Sequence, residues 1–371
     1  MFKKYRLKNF NFLLVLLVVS LNTIGILAIG SAEKSVQGKQ IFGMVLGIIL
    51  MLVIAFIDYS ILLKFYWIGY LLMVASLVLV WLCGDTVNGA KRWLDLQIFQ
   101  FQPSDLAKIL LILFYAQFIM KYKERLNTFR TLFLIVLFAV PPILLVYKQP
   151  DLSTTILLGI MLCIILFVGG ISWRIIIGVL AVAVPSLLIF LSIVMQEGQS
   201  LLSEYQRNRV MAFFDPEAYA ESIAYQQLNS VIAIGSGQLW GKGLNNNVIT
   251  SVKNGNFLPE PQTDFIFAVI GEELGFIGSA AVILLIILIA ICCVSVARSA
   301  KDTAGMIIAS SVGALIGIQG FMNIAVATLL MPNTGLTLPF VSYGLSSLVS
   351  LYIGIGFVLN IGLQRRSMYN L

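Results

Sequence analysis

The chain has 371 residues, 59% hydrophobic and 11% charged, with a net charge of +7 and no histidine. A soluble domain carries about 25% charge, so a soluble globular fold is excluded, and the basic balance points to cytoplasmic loops of a membrane protein rather than to nucleic acid. Without histidine the usual general base and the commonest imidazole metal ligand are also absent.

The first apolar run, Phe10 to about Ile29, is long enough to span a bilayer, and no small-residue cleavage site follows it. It reads as a retained membrane helix. Further apolar runs at roughly 40–57, 61–83, 104–120, 131–147, 152–170, 174–195, 266–297, 303–330 and 341–363 predict an all-α polytopic membrane protein of about ten spans. Cys83, Cys163, Cys292 and Cys293 lie in or at the ends of these runs, without metal-ligand spacing or the pattern of a disulfide framework. Lysines and arginines cluster in the short connectors, as in Lys121, Lys123, Arg125 and Arg130, which places both termini in the cytoplasm.

Two segments on the outer side are longer than ordinary connectors: 84–103, and a large extracellular loop at 196–265 between the seventh and eighth spans. Within the latter, "AYQQLNSVIAIGSGQLWGKGL" carries an apolar helical stripe that ends in glycines, so it is expected to pack on or dip into the membrane face. The whole chain, 1–371, reads as a single transmembrane domain.

Charge inside or beside a bilayer is costly unless paired or hydrated, and this chain concentrates it on the outer side. Asp105 and Lys108 are three apart on one face of a helix that begins at Pro103. Lys148 and Asp151 flank "YKQPDLSTT", Arg207 and Arg209 stand in "YQRNRVMAFFDPE", and Asp264 opens the eighth span in "LPEPQTDFIF", with Glu272 and Glu273 two turns further in. Each has a structural alternative. Asp105, Ser104 and Asp264 suit helix N-caps. Lys148 suits an interface anchor, Trp93 an aromatic belt, and the two arginines a solvated face. At least one of Glu272 and Glu273 must face protein or water. Together the set describes a cavity opening outward. Its cations, Arg92, Lys108, Arg207 and Arg209, suit a phosphate or pyrophosphate. Its acids suit a base or a divalent cation such as Mg2+ or Mn2+. No organic cofactor is implied.

The blocks "NGAKRWLDL…FQPSDLAK", "YKQPDLSTT", "YQRNRVMAFFDPE", "AIGSGQLWGKGL", "LPEPQTDFIFAVIGEELGFIG" and "TGLTLPFVSYGLSS" follow one another along essentially the whole chain. In order and spacing they resemble the SEDS family (shape, elongation, division, sporulation), and "RWLDL", "QPDL" and "LPEPQTDFIFAV" resemble its RodA-like branch more than FtsW. The resemblance implies a peptidoglycan glycosyltransferase with ten spans. Such an enzyme polymerises lipid II into glycan strands at the outer face of the bacterial plasma membrane, for elongation and rod shape, beside a class B penicillin-binding protein. It makes Asp264 the residue on which catalysis depends, implicates Trp93 in activity, and matches Asp105 and Lys108 to an acid–lysine block. Gln102, Ser104, Lys148, Glu260, Thr263, Ser342 and Tyr343 join Arg92, Trp93, Asp105, Lys108, Arg207 and Arg209 as substrate-facing candidates. Three positions depart from the family pattern: Asp105 where Glu is usual, and Ser153 and Leu345 where glycines are usual.

Glycosyl transfer needs an activated sugar hydroxyl and a neutralised pyrophosphate leaving group. Asp264 is the candidate base. A helix N-terminus would instead favour its charged form and weaken it as a base, which leaves hydroxyl positioning or cation binding as other roles. A flippase or transporter for the same lipid-linked precursor is the alternative function class.

Overall fold

A computed structural model describes residues 7–87, 90–95, 100–196, 204–220, 224–245, 251 and 257–365. The helices are α1 (Phe12–Ala32), α2 (Lys34–Phe56), α3 (Tyr59–Leu62), α4 (Tyr66–Cys83), α5 (Pro103–Lys121), α6 (Phe129–Lys148), α7 (Leu152–Gly169), α8 (Trp173–Val194), α9 (Glu204–Phe214), α10 (Tyr225–Ser236), α11 (Ile266–Arg298), α12 (Thr303–Ala327) and α13 (Leu345–Leu363). Among the described residues nine helices, with α3 and α4 running on as one, are long and apolar enough to cross a membrane. The 22-residue α8, long enough to span at 1.5 Å per residue, is a tenth. The fold is that of an all-α multi-pass membrane protein.

Side-chain caps set many of the helix starts. Asn11 accepts from Leu14 N at 3.0 Å, Asp58 from Ser60 N at 2.9 Å, Asp151 from Thr154 N at 3.0 Å and Asp302 from Gly305 N at 2.7 Å. The cap of α5 is Gln102, with Pro103 in the first turn and Asp105 inside it, so neither Ser104 nor Asp105 is the cap. The cap of α11 is Phe265, which removes that role from Asp264 too.

Helices α5, α12 and α13 are mostly buried and form the centre, whereas the outer helices turn Phe12, Leu71, Leu72 and Phe129 outward as lipid-facing surface. At the end of the bundle opposite the site described below, Lys301 donates to Ser60 Oγ at 2.8 Å and lies 3.5 Å from Asp58, and Gln364 donates to Asp58 at 3.2 Å. This ties two connectors and the end of α13 together.

The described residues of segment 84–103 form a small antiparallel sheet of β1 (Asp85–Val87), β2 (Ala90–Asp95) and β3 (Gln100–Phe101) in the order β1-β2-β3, with Asp85 opposite Trp93 and Leu94 opposite Phe101. Strands this short lie below the length at which alternation can be read from sequence.

The long eighth run is also not one helix. Gly275, at φ 65° and ψ −160°, breaks α11, and the loop after α10 enters the break. Lys242 N and Gly243 N donate to the carbonyls of Glu272 and Glu273, both at 2.9 Å, while Phe276 N donates to Gln238 O at 2.8 Å. A Cβ added at the centre of this contact would collide: at Gly275 it would lie 2.3 Å from Gly241 N, and at Gly241 2.2 Å from Glu273 O. Both glutamates face protein, Glu272 paired with Lys242 at 2.7 Å and Glu273 accepting from Ser31 Oγ at 2.5 Å. On α10, Gln227, Ser230 and Ala233 are buried while Ile232 is exposed, as is Trp240 beyond its end. Gln227 and Ser230 donate to the last carbonyls of α12, Val326 O at 2.9 Å and Ala327 O at 2.7 Å.

Candidate functional site

The site is assembled from connectors at one end of the bundle. The turn carrying Thr263 and Asp264 precedes α11, and the segment between α12 and α13 folds around it. Ser342 Oγ donates to Thr263 O at 2.6 Å and accepts from Leu338 N at 2.7 Å, and Tyr343 N donates to Gln262 O at 2.9 Å. Asn323 Nδ2 reaches up from α12 to Asp264 O at 2.8 Å and Leu336 O at 2.6 Å. Gly335, at φ 75°, faces the carboxylate so closely that a Cβ there would sit 3.4 Å from Asp264 Oδ2. Thr263 N and Oγ1 both bond Glu260 O, and Glu260 itself is exposed.

A second group of connectors abuts this one. Ser153 Oγ donates to Thr334 O, joining the start of α7 to the same segment. Arg92 on β2 donates from Nε to Gln149 O at 3.1 Å and from Nη2 to Pro150 O, so the hairpin clasps the turn before α7. Gln102 donates through Nε2 to Asp151 Oδ2 at 3.4 Å and through its backbone to Ser346 Oγ at 2.9 Å. Asp151 is a buried cap, its other contacts being Thr154 N and Oγ1.

Electrostatics single out Asp264. Close packing of protein around the carboxylate raises its pKa from 3.8 to about 6; Arg209 and Arg92 pull it down, and Glu260 and Asp151 push it up. The helix N-terminus therefore does not leave it a weak base: burial outweighs both arginines. Asp264 is ionised at neutral pH and close enough to its pKa to take up a proton.

The remaining candidates divide. Arg92, Arg209, Glu260, Thr263, Ser342 and Tyr343 gather at or around Asp264, with Gln102 in the adjoining group and Trp93, half-buried on β2, next to Arg92. Ser104 is buried in the first turn of α5. Lys108 is buried, its ammonium held by Asp105 Oδ1 at 2.8 Å and Gln319 Oε1 at 3.1 Å. Arg207 donates to Val194 O at 3.2 Å, fastening α9 to the end of α8. Lys148 is exposed, 5.2 Å above the Trp81 ring, as an interface anchor would be. Lys108 and Arg207 are thus engaged by Asp105, Gln319 and Val194 O, while Arg209 and Arg92 are the cations whose charge lowers the pKa of Asp264. A cavity of about 350 Å3 beside the turn is lined by Ala32, Glu33, Leu258, Pro259, Glu260, Pro261 and Gln262. Among the described residues no group of three acids, cysteines or histidines converges as metal ligands do.

Sequence reading passed over Gln319 and Asn323. Two carboxamides four apart in an otherwise apolar span were the available signal, because polar groups at that depth are costly unless used.

Fold and site together define a multi-pass membrane protein with a carboxylate–arginine centre built between spans at one end of the bundle. The model of the FtsW/RodA/SpoVE family, described as cell cycle proteins, matches residues 5–367, and the chain belongs to this family. It is 36% identical over 361 residues to the peptidoglycan glycosyltransferase MrdB of Escherichia coli (strain K12), covering 96% of this chain and 94% of that one. It is 34% identical to the probable peptidoglycan glycosyltransferase FtsW of Trichlorobacter lovleyi, covering 97% and 94%. Its structure is similar to that of the rod shape determining protein RodA of Thermus thermophilus, with a TM-score of 0.71, 26% identity and coverage of 96% and 98%. It is also similar to a chain from a structure reported as the structural coordination of polymerization and crosslinking by a peptidoglycan synthase complex, with a TM-score of 0.80, 28% identity and coverage of 95% and 97%.

Proposed function

We propose that the chain is a peptidoglycan glycosyltransferase that polymerises lipid II into glycan strands, with Asp264 as the general base. The observation that carries this is a half-buried carboxylate of raised pKa on which the charges of Arg209 and Arg92 act, in a family whose relatives bear that enzyme name. The Asp264 carboxylate takes the proton of an acceptor sugar hydroxyl as that oxygen attacks the anomeric carbon of the donor. The bond from that carbon to the pyrophosphate breaks, and the charge left on the pyrophosphate faces Arg92 and Arg209. Preorganised cations in a water-poor site stabilise such charge where it develops.

Arg92 is already fixed on the turn before α7 by two backbone carbonyls, so its charge is oriented before substrate arrives. The basic connectors support cytoplasmic termini and an outward-facing site. The structural neighbour from a synthase complex supports a class B penicillin-binding protein as the crosslinking partner.

The test is purified protein with lipid II in detergent, read as glycan polymer on a gel, with Asp264→Asn alongside. Polymer from the parent and none from the variant is the expected result. Absence of polymer together with movement of lipid II between vesicle leaflets would replace the enzyme by a flippase.

A further inference from the structure

Gln319 and Asn323 stand one turn apart on α12 and are fully buried. Buried carboxamides in a membrane span are costly where a hydrogen bond is left unmade; Asn323 Oδ1 has no partner among the described residues, so the bonds the two side chains do make are informative. Asn323 directs Nδ2 to two carbonyls, those of Asp264 and Leu336. Gln319 accepts from Lys108 through Oε1 and donates through Nε2 to Thr337 O at 2.9 Å and Thr337 Oγ1 at 3.2 Å. Thr337 Oγ1 is in turn 2.9 Å from Ser347 Oγ in the first turn of α13. These bonds run to the turn that bears the base, to the segment that folds over it, and to the Lys108–Asp105 pair on α5.

We infer that Gln319 and Asn323 are positioning residues of the glycosyl-transfer site, registering Asp264 and the Lys108–Asp105 pair against one rigid helix. Residues four apart lie on one face and rise about 6 Å along the axis, so α12 fixes the height of the base relative to the buried lysine. Without Asn323 the turn before α11 keeps its bonds to Ser342 and Tyr343, but the carbonyl of the catalytic residue itself is released. A misplacement of ~1 Å at a reacting group costs about 10²-fold in rate. The inference rests on the assignment of Asp264 as base.

The experiment is steady-state polymerisation of lipid II by the purified full chain carrying Asn323→Leu, Gln319→Glu or Gln319→Met. Leucine keeps the size of asparagine without its donors. Glutamate at 319 keeps an acceptor for Lys108, which holds it ionised, but cannot donate to Thr337. The expected result is a kcat lower by ~100-fold for Asn323→Leu and by at least ~10-fold for both Gln319 variants, with KM within ~3-fold of the parent. A residue that only stabilises the fold would reduce the amount of active protein and leave kcat per folded molecule unchanged. Folded Asn323→Leu with kcat within ~3-fold of the parent overturns the inference. If that variant does not fold, Gln319→Glu decides: full activity reduces Gln319 to a partner of Lys108 and overturns the inference, whereas a lowered kcat at unchanged KM supports it. An active Asp264→Asn would instead overturn the base assignment; an inactive Asp264→Asn with normal position 319 and 323 variants overturns positioning alone.

Discussion

Asp264→Asn is expected to make the protein more stable at neutral pH while abolishing polymerisation. The pKa of Asp264 is raised from 3.8 to about 6 chiefly by burial, so folding opposes ionisation of this group. A carboxyl whose folded pKa is raised contributes stability that is fully present below about 4 and is lost as pH rises through about 6. At 1.36 kcal/mol per pH unit the loss comes to ~3 kcal/mol above that window. Asparagine resembles the protonated acid in size and charge and keeps the backbone carbonyl that Asn323 holds. The assay is thermal denaturation in detergent, read by size-exclusion of the soluble fraction, for parent and variant at pH 4 and pH 8. The variant should melt higher at pH 8 and together with the parent at pH 4. Its polymerisation rate should fall by about 10²-fold or more, the range a general base supplies. Equal melting at both pH values, or a less stable variant at pH 8, would refute the account of a carboxylate strained by burial.

The pH–rate profile of the parent should rise through about 6 and level off above it, since the base must be ionised to work; a profile flat from pH 5 to 8 would exclude Asp264 as the titrating base. Arg209→Gln removes the larger of the two cationic effects on Asp264, so the midpoint should move to higher pH as kcat falls, which the same profile measures. Lys108→Met leaves Asp105 buried without its cation and should cost about 3–5 kcal/mol in thermal denaturation. Lys108→Met combined with Asp105→Leu should recover most of that, and no recovery would mean the lysine stabilises something other than this pair. Gly275→Ala adds a Cβ 2.3 Å from Gly241 N at a positive φ and should destabilise by at least ~2 kcal/mol; a variant melting with the parent would show that the break in α11 is not needed.

The spans were legible because bilayer thickness imposes a length and an apolarity that a sequence displays directly. Asp264 was legible for a related reason, as a carboxylate at a span mouth in a chain without histidine. Its basicity was not, because that depends on how closely the segment around Gly335 and Ser342 packs against it, some seventy residues later in the chain. Sequence offered Lys108, Arg207 and Arg209 as candidate cations for the leaving group, with Lys108 first. The fold separates them: Asp105 and Gln319 hold the first, the end of α8 holds the second, and the third acts electrostatically on Asp264. The sheet of 84–103 escaped because its strands are too short to show alternation, and the break at Gly275 because glycine within an apolar run is compatible with an unbroken helix.

That break has a further consequence for life in a real bilayer. The portion of α11 after Gly275 runs to Arg298 and, at 1.5 Å per residue, is by itself long enough to cross ~30 Å of hydrocarbon. The portion before it is bonded to the α10 loop through the carbonyls of Glu272 and Glu273, and the turn ahead of it is held by Ser342, Tyr343 and Asn323. A change in lipid thickness is met by tilt of the later portion, with Gly275 as the joint. The depth of Asp264 is thus coupled to α12 through Asn323, while the portion of α11 beyond Gly275 is free to take a different tilt from the portion before it.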